Sequence, residues 1–291
     1  MPTDARPALR RFASPDGVTL VGEVGGPEEA PTVVLMHGGG QTRHSWSGAM
    51  RALLDRGYRV VNYDARGHGD SDWSPTGAYD LDDRAHDLAA VVGKMPSRFA
   101  LVGASLGGAT AIQAVALGLR PAAVVLVDIV PEPEAEGIHR IVSFMSGHLD
   151  GFATLDDAID AVAAYNPERA RPSDPTGLMR NLRAMPDGRL RWHWDPQIIS
   201  DAPEVHHRKV RAAAKTLSGI DRLPVLLVRG MQSDVVSDDG IARFRQMLPR
   251  LEVVDVAGAG HMVAGDRNDA FNAGVIDFLA RHMPVEARHD G

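Results

Sequence analysis

Phe99-Ala-Leu-Val-Gly103-Ala-Ser105-Leu-Gly107-Gly-Ala-Thr110 decides how this chain reads. An apolar run of the kind a buried strand needs leads into a Gly-x-Ser-x-Gly turn, and a stretch of small residues follows at once. The implied order is strand, sharp turn, helix. A serine that projects its Oγ from such a turn sits in strained backbone, so the residues two before and two after it must be nearly free of side chain. Gly103 and Gly107 meet that demand. The turn also brings the Leu106 N–H and the positive end of a helix to where charge develops on a substrate oxygen. With 30 glycines in the chain the pattern alone is weak, so a base, an acid and a second oxyanion donor must be found in order.

Outward from the motif, strand-like and helix-like segments alternate. Residues 18–24 read as a strand of an early hairpin, and 31–36 as a strand buried on both faces that ends in His37-Gly38-Gly39-Gly40. Residues 44–56 read as a helix with Trp46, Met50, Leu53 and Leu54 inward, stopped by Gly57, and 58–63 as the next strand. Asp64-Ala-Arg-Gly-His-Gly-Asp-Ser-Asp72 looks catalytic but reads better as a polar loop satisfying its own backbone. Asp80 can cap a helix with Asp83 at its third position, Leu88, Val91, Val92 and Met95 inward and His86 outward. Residues 122–127 form another apolar strand, ending at Asp128. This alternation predicts an α/β fold, a mostly parallel sheet with helices on both faces.

The pattern breaks at Pro131. Helix-like pieces at 134–145, 155–165, 174–185 and 200–217 occur without a convincing buried strand. Residues 131–223 are therefore expected to form a helical cap, inserted into a core built from 1–130 and 224–291. The insertion carries Phe144, Met145, Phe152, Tyr165, Met179, Trp192 and Trp194, side chains that as a group could close over the serine and exclude water, although for any one of them packing in the insertion's own core is the favoured expectation. Alternation resumes with a strand at 224–228, a helix capped by Ser237, a strand at 251–256 and a final helix at 266–282 burying Phe271, Val275, Phe278 and Leu279.

Bulk properties narrow the class. The 291 residues carry a formal net charge of −7, with no run of basic charge, which argues against nucleic acid or an anionic membrane as partner. No cysteine is present, so disulfides, thiolate metal sites and cysteine nucleophiles are excluded. Neither a signal-peptide pattern nor a stretch of 18 apolar residues occurs, and a cytoplasmic protein acting on a small molecule is expected. There is no phosphate-binding Gly-x-x-x-x-Gly-Lys-Ser/Thr, and Gly258-x-Gly260 lacks the third glycine of a dinucleotide loop. His206 and His207 are adjacent and point apart on a helix. No metal or cofactor is expected.

Serine needs a base oriented by a third group. His261 lies beyond a strand end in a glycine-rich loop free to place an imidazole over the sheet edge, whereas His282 ends a helix and His289 lies in the tail. Asp234 follows a strand's carboxyl end, so Ser105, Asp234, His261 falls in the order a triad requires on this architecture. Asp128 is the rival acid, although it also suits the start of the insertion.

Taken together, His37-Gly38-Gly39-Gly40, Gly103-Ala-Ser105-Leu-Gly107, Asp234 and Gly260-His261 resemble the α/β-hydrolase fold superfamily over nearly the whole chain. The resemblance implies an eight-stranded sheet, the insertion as a cap, and an oxyanion hole made by the N–H groups of Gly39 and Leu106. Gly38, Gly40, Phe144, Trp192, Trp194 and Met262 are expected among the substrate contacts. Serine at the nucleophile position argues against epoxide hydrolases and haloalkane dehalogenases. Carbon-carbon hydrolases have a similar His-Gly-Gly-Gly run, but with Asn before the serine and Trp after the histidine where this chain has Ala104 and Met262. Small-molecule esterases and cofactor-free haloperoxidase-like perhydrolases are closer in outline. The expected activity is a serine hydrolase cleaving a small, partly apolar ester or lactone through an acyl-enzyme. Its rivals are carbon-carbon hydrolysis or perhydrolysis on the same fold, or a ligand receptor that kept the triad.

Overall fold

The computed structural model describes residues 7–93, 95, 98–165, 175–199, 203–220, 222–261 and 268–286. In chain order, β1 (Ala8–Ala13) and β2 (Thr19–Gly25) form the early hairpin, followed by β3 (Thr32–Met36) and α1 (Ser47–Asp55). β4 (Arg59–Tyr63), α2 (Leu81–Val92), β5 (Phe99–Ala104), α3 (Leu106–Ala116) and β6 (Ala123–Val127) come next. The insertion holds α4 (Ala135–Ser146), α5 (Leu155–Tyr165), β7 (Leu182–Ala184), β8 (Leu190–Trp192) and α6 (Pro203–Ser218). β9 (Val225–Gly230), α7 (Asp238–Met247), β10 (Glu252–Val256) and α8 (Asn268–His282) complete the chain.

Eight strands make one sheet in the order β1-β2-β4-β3-β5-β6-β9-β10, antiparallel at the hairpin and parallel from β4 to β10. All of β3 and all of β6 are buried, as predominantly apolar strands covered on both faces must be. On one face α2, α3 and α7 pack through residues such as Leu88, Ile112 and Phe244; on the other, α1 and α8 pack through Met50, Leu53, Val275, Phe278 and Leu279, with Trp46 just before α1 beside them. The expected contact of Phe271 lies outside the residues whose side chains are described. Local signals act as the sequence implies: Asp80 and Asp83 form a reciprocal capping box at α2, and the Ser237 side chain accepts from Gly240 N. No helix among the described residues is long and apolar enough to cross a membrane.

The insertion differs from the expectation in two respects. Residues 174–185 are not one helix: a 3₁₀ turn at Pro175–Asn181 leads into β7, which pairs antiparallel with β8. Pro186-Asp187-Gly188 provides the turn, with Gly188 at φ 84°, and the pair closes through Met185 N to Arg189 O at 2.8 Å. Such a turn between two short runs is a hairpin signal, and here it outweighs the helical spacing. The insertion is also divided by its packing. Met145, Phe152, Ala158, Leu182, Trp192 and Trp194 make a core of their own, while Val210, Ala213, Ala214 and Leu217 of α6 join the main core beside α3.

Candidate active site

Ser105 stands between β5 and α3 with φ 45° and ψ −111°, a conformation L-residues rarely adopt. Its neighbours must be glycine. A Cβ at Gly103 would lie 2.4 Å from the Gly107 carbonyl, and a Cβ at Gly107 would lie 2.4 Å from Met36 O of the adjacent β3. The Ser105 N–H donates to Val127 O at 3.0 Å, and its carbonyl accepts from Ala109 N as α3 begins.

The aspartate that meets His261 is Asp128. His261 Nδ1 lies 2.7 Å from Asp128 Oδ2, and because a carboxylate only accepts, the ring proton resides on Nδ1 and Nε2 keeps its lone pair. Asp128 is buried and held on all sides: Oδ1 accepts from Gly230 N at 3.1 Å and Oδ2 from Ser233 Oγ at 2.5 Å. Asp234, the expected acid, does not face His261. Its carboxylate pairs with Arg140 of α4 at 2.9 Å and is 32% exposed. Sheet order explains the difference. β6 lies directly beside β5, so Asp128, one residue past β6 and turned by its own φ of 49°, is one strand from Ser105. Asp234 lies four residues beyond the end of β9, where its carboxylate meets α4 of the insertion.

The glycine run after β3 folds back over Ser105. A Cβ on Gly38 would meet Ser105 Cβ at 3.5 Å, and one on Gly39 would meet the Leu106 side chain at 3.9 Å. Gly38 N donates to Gln41 Oε1 at 3.0 Å and Gly40 N to His68 Nε2 at 3.2 Å. Among the described residues no acceptor meets the N–H of Gly39 or of Leu106. Of four backbone donors at this place, two are consumed by the protein and two are open.

Three buried imidazoles secure that run. His37 Nδ1 donates to Gly38 O and its Nε2 accepts from Ala65 N; His68 Nδ1 donates to Arg66 O while its Nε2 accepts from Gly40 N. His193, from the insertion, donates through Nε2 to Gly40 O at 3.3 Å and accepts from Gly69 N at 2.7 Å. Burial holds all three pKa values below the usual imidazole range, His193 at about 4. The 64–72 loop is structural, as its composition suggested: Asp64 accepts from Arg43 N, the Arg43 guanidinium and Asp70 N.

Ser105, Asp128 and His261 open onto one cavity of about 640 Å³, within the range of small-molecule sites. Gly38, Gly39, Gly40, Phe144, Trp192 and Trp194 line it, as expected; Met262 lies outside the described residues. Trp192 and Trp194 stack at 4.8 Å, with Phe144 tilted against both. Sequence reasoning did not single out Arg84 or Tyr79 on the core side of this cavity, nor assign a role there to His206. Among the described residues no group of three His, Asp or Glu side chains is placed to hold a metal.

A strained serine turn after β5, an Asp-His pair reaching from beyond β6 and β10, and a cavity onto which all three open on an eight-stranded sheet define a class, and sequence comparison agrees. Residues 33–273 match the alpha/beta hydrolase family. The chain belongs to that family and is a hydrolase enzyme. It is 30% identical over 251 residues to the esterase Rv0045c of Mycobacterium tuberculosis, covering 82% of this chain and 79% of the relative. It is 29% identical to a non-heme chloroperoxidase of Streptomyces lividans, covering 91% and 97%. The crystal structure of E-2-(acetamidomethylene)succinate hydrolase superposes with a TM-score of 0.80 at 25% identity, covering 94% of this chain and 99% of that one.

Proposed function

We propose that the protein cleaves a small, partly apolar carboxylic ester or lactone through an acyl-enzyme, with Ser105 as nucleophile, His261 as base and Asp128 as the acid that orients it. The observation that carries this reading is the 2.7 Å bond from His261 Nδ1 to Asp128, which leaves Nε2 free in the cavity that Ser105 enters. Nε2 takes the Oγ proton as Oγ bonds to the substrate carbonyl carbon, then returns it to the leaving oxygen as the old bond breaks. Water repeats the sequence and releases the acid. The two open donors, Gly39 N–H and Leu106 N–H, suit the oxygen that becomes negative in each step.

The test is a panel of short acyl esters and lactones assayed with wild type and Ser105→Ala. Ser105→Ala should lose at least about a thousandfold in turnover while keeping its fold, since the side chain lost is one hydroxyl. Wild-type rates in that variant would sink the mechanism. Many turnovers per Ser105 separate an enzyme from a receptor that is merely acylated. The likeness to a chloroperoxidase supports a second reading, in which peroxide replaces water as the acceptor of the acyl group. Adding hydrogen peroxide to the same assay, with peracid as the readout, decides between the two acceptors.

A further inference from the structure

Arg84 of α2 is buried, at 4% exposure, in the wall of the main cavity. Among the described residues its guanidinium hydrogen-bonds only to carbonyls, Nε donating to Tyr79 O at 3.2 Å and Nη1 to Arg66 O at 3.4 Å, and it lies 5.8 Å from the centre of the Tyr79 ring. Among the described residues no acceptor meets Nη2, and no carboxylate lies within ion-pair distance of the group. The nearby Asp87 is committed elsewhere, giving both oxygens to Arg66 at 2.6 and 2.7 Å. Asp80, also on the cavity wall, caps α2 and pairs with Lys209 at 2.8 Å.

An unpaired cation in such a place is costly unless something supplies the counter-charge. At Arg43 and Arg66 burial also disfavours the charge, but their carboxylate partners outweigh it and their pKa values rise. At Arg84 burial wins over the more distant Asp87, and the pKa falls to about 10. His206 of α6 stands on the same cavity wall. Burial, then the charges of His207 and Arg84, hold its pKa at about 4. The Arg84 guanidinium of α2 and the His206 imidazole of α6 thus line the same cavity as Ser105.

We propose that this cavity binds a substrate carrying a carboxylate in addition to the scissile bond, with the carboxylate seated on Arg84 beside His206. The assignment of the scissile bond rests on the proposed hydrolytic function; the seat itself does not. A guanidinium with free N–H groups suits the two oxygens of a carboxylate, and the pairing would be charge-assisted and shielded from water. The aromatic end, Phe144, Trp192 and Trp194, would receive the apolar part.

The test compares acids with their neutral methyl esters on wild type. Nitrophenyl hydrogen adipate places the carboxylate on the acyl side, and acetoxybenzoate places it on the alcohol side. At least one acid should exceed its neutral counterpart in kcat/KM by about tenfold or more, and Arg84→Gln should cut that ratio to about threefold or less. Ratios near one in wild type, or a ratio that survives in Arg84→Gln, overturn the proposal. Should Arg84→Gln fail to fold, calorimetry on Ser105→Ala with adipate against adipamide decides instead. Adipate should bind at least about tenfold tighter and raise the His206 pKa followed by NMR; equal binding overturns the seat. Adipate binding without any ester turnover would sink the hydrolytic reading alone. Brisk neutral-ester turnover abolished in Ser105→Ala, with no preference for acids, would sink the carboxylate seat alone.

Discussion

At the residue scale, the choice between two aspartates has a measurable consequence. Asp128 is buried and accepts from His261 Nδ1, Gly230 N and Ser233 Oγ, whereas Asp234 meets Arg140 near the surface. An amide at position 128 would present an NH₂ to Nδ1, favour the proton on Nε2 and remove the lone pair that the proposed base needs. Asp128→Asn should therefore lower kcat by about a thousandfold or more, with a smaller change in KM. Asp234→Asn removes a surface pair of little worth, about 1 kcal/mol or less, and should change kcat by less than about threefold. Steady-state kinetics on the two variants decides, and a larger loss at 234 than at 128 would restore the expectation drawn from sequence. The strained turn at Ser105 was legible because its constraint is local: two glycines, a strand and a helix within twelve positions. Which aspartate meets His261 was not, because that depends on which strand lies next to β5, and sheet order is not written in any short stretch.

At the element scale, β5, the turn and α3 pack so tightly that the serine's geometry depends on missing side chains. A methyl on Gly107 would meet Met36 O of β3, backbone at the centre of the sheet that cannot move aside. Gly107→Ala should therefore destabilise by about 1–3 kcal/mol through overpacking, and also tilt the start of α3 and with it the Leu106 N–H. A lowered denaturant midpoint together with reduced kcat is the expected pair of results. A stable variant of normal activity would show that the turn has room for a methyl group and would refute this. The same scale explains what sequence reading missed in the insertion. Helical spacing across 174–185 was outweighed by a turn signal at 186–188, because short hairpins are set by two or three residues while a helix needs its whole length. Arg84 escaped for a different reason. What marks it is an absent partner, and absence becomes visible only once Asp87 and Asp80 are seen bonded to others.

At the scale of the whole molecule, the insertion is fastened to the core next to the open donors at Gly39 and Leu106. Tyr79 Oη donates to Asp195 at 2.6 Å, Asp195 N donates to Gly67 O at 2.9 Å, and His193 bridges Gly40 O and Gly69 N. His193 can do this only as a neutral ring, one nitrogen donating and the other accepting, and the same holds for His37 and His68 behind it. In the unfolded chain each imidazole takes a proton near pH 6.5, while folded His193 resists protonation down to about 4. Between those values the unfolded state holds more protons. Stability is therefore complete above about pH 6.5 and falls on acidification by up to about 1.4 kcal/mol per pH unit through His193, with His37 and His68 acting in the same direction. A glutamine at 193 offers one acceptor and one donor but does not titrate, so His193→Gln should flatten the slope by the share of one histidine. Denaturant midpoints of both proteins between pH 7 and pH 5 measure this, and parallel slopes would refute it. Hydrogen exchange locates the effect: as pH falls, the wild type should lose protection first at 190–199 and at Gly40, because the seam between cap and core opens where its fastening is protonated.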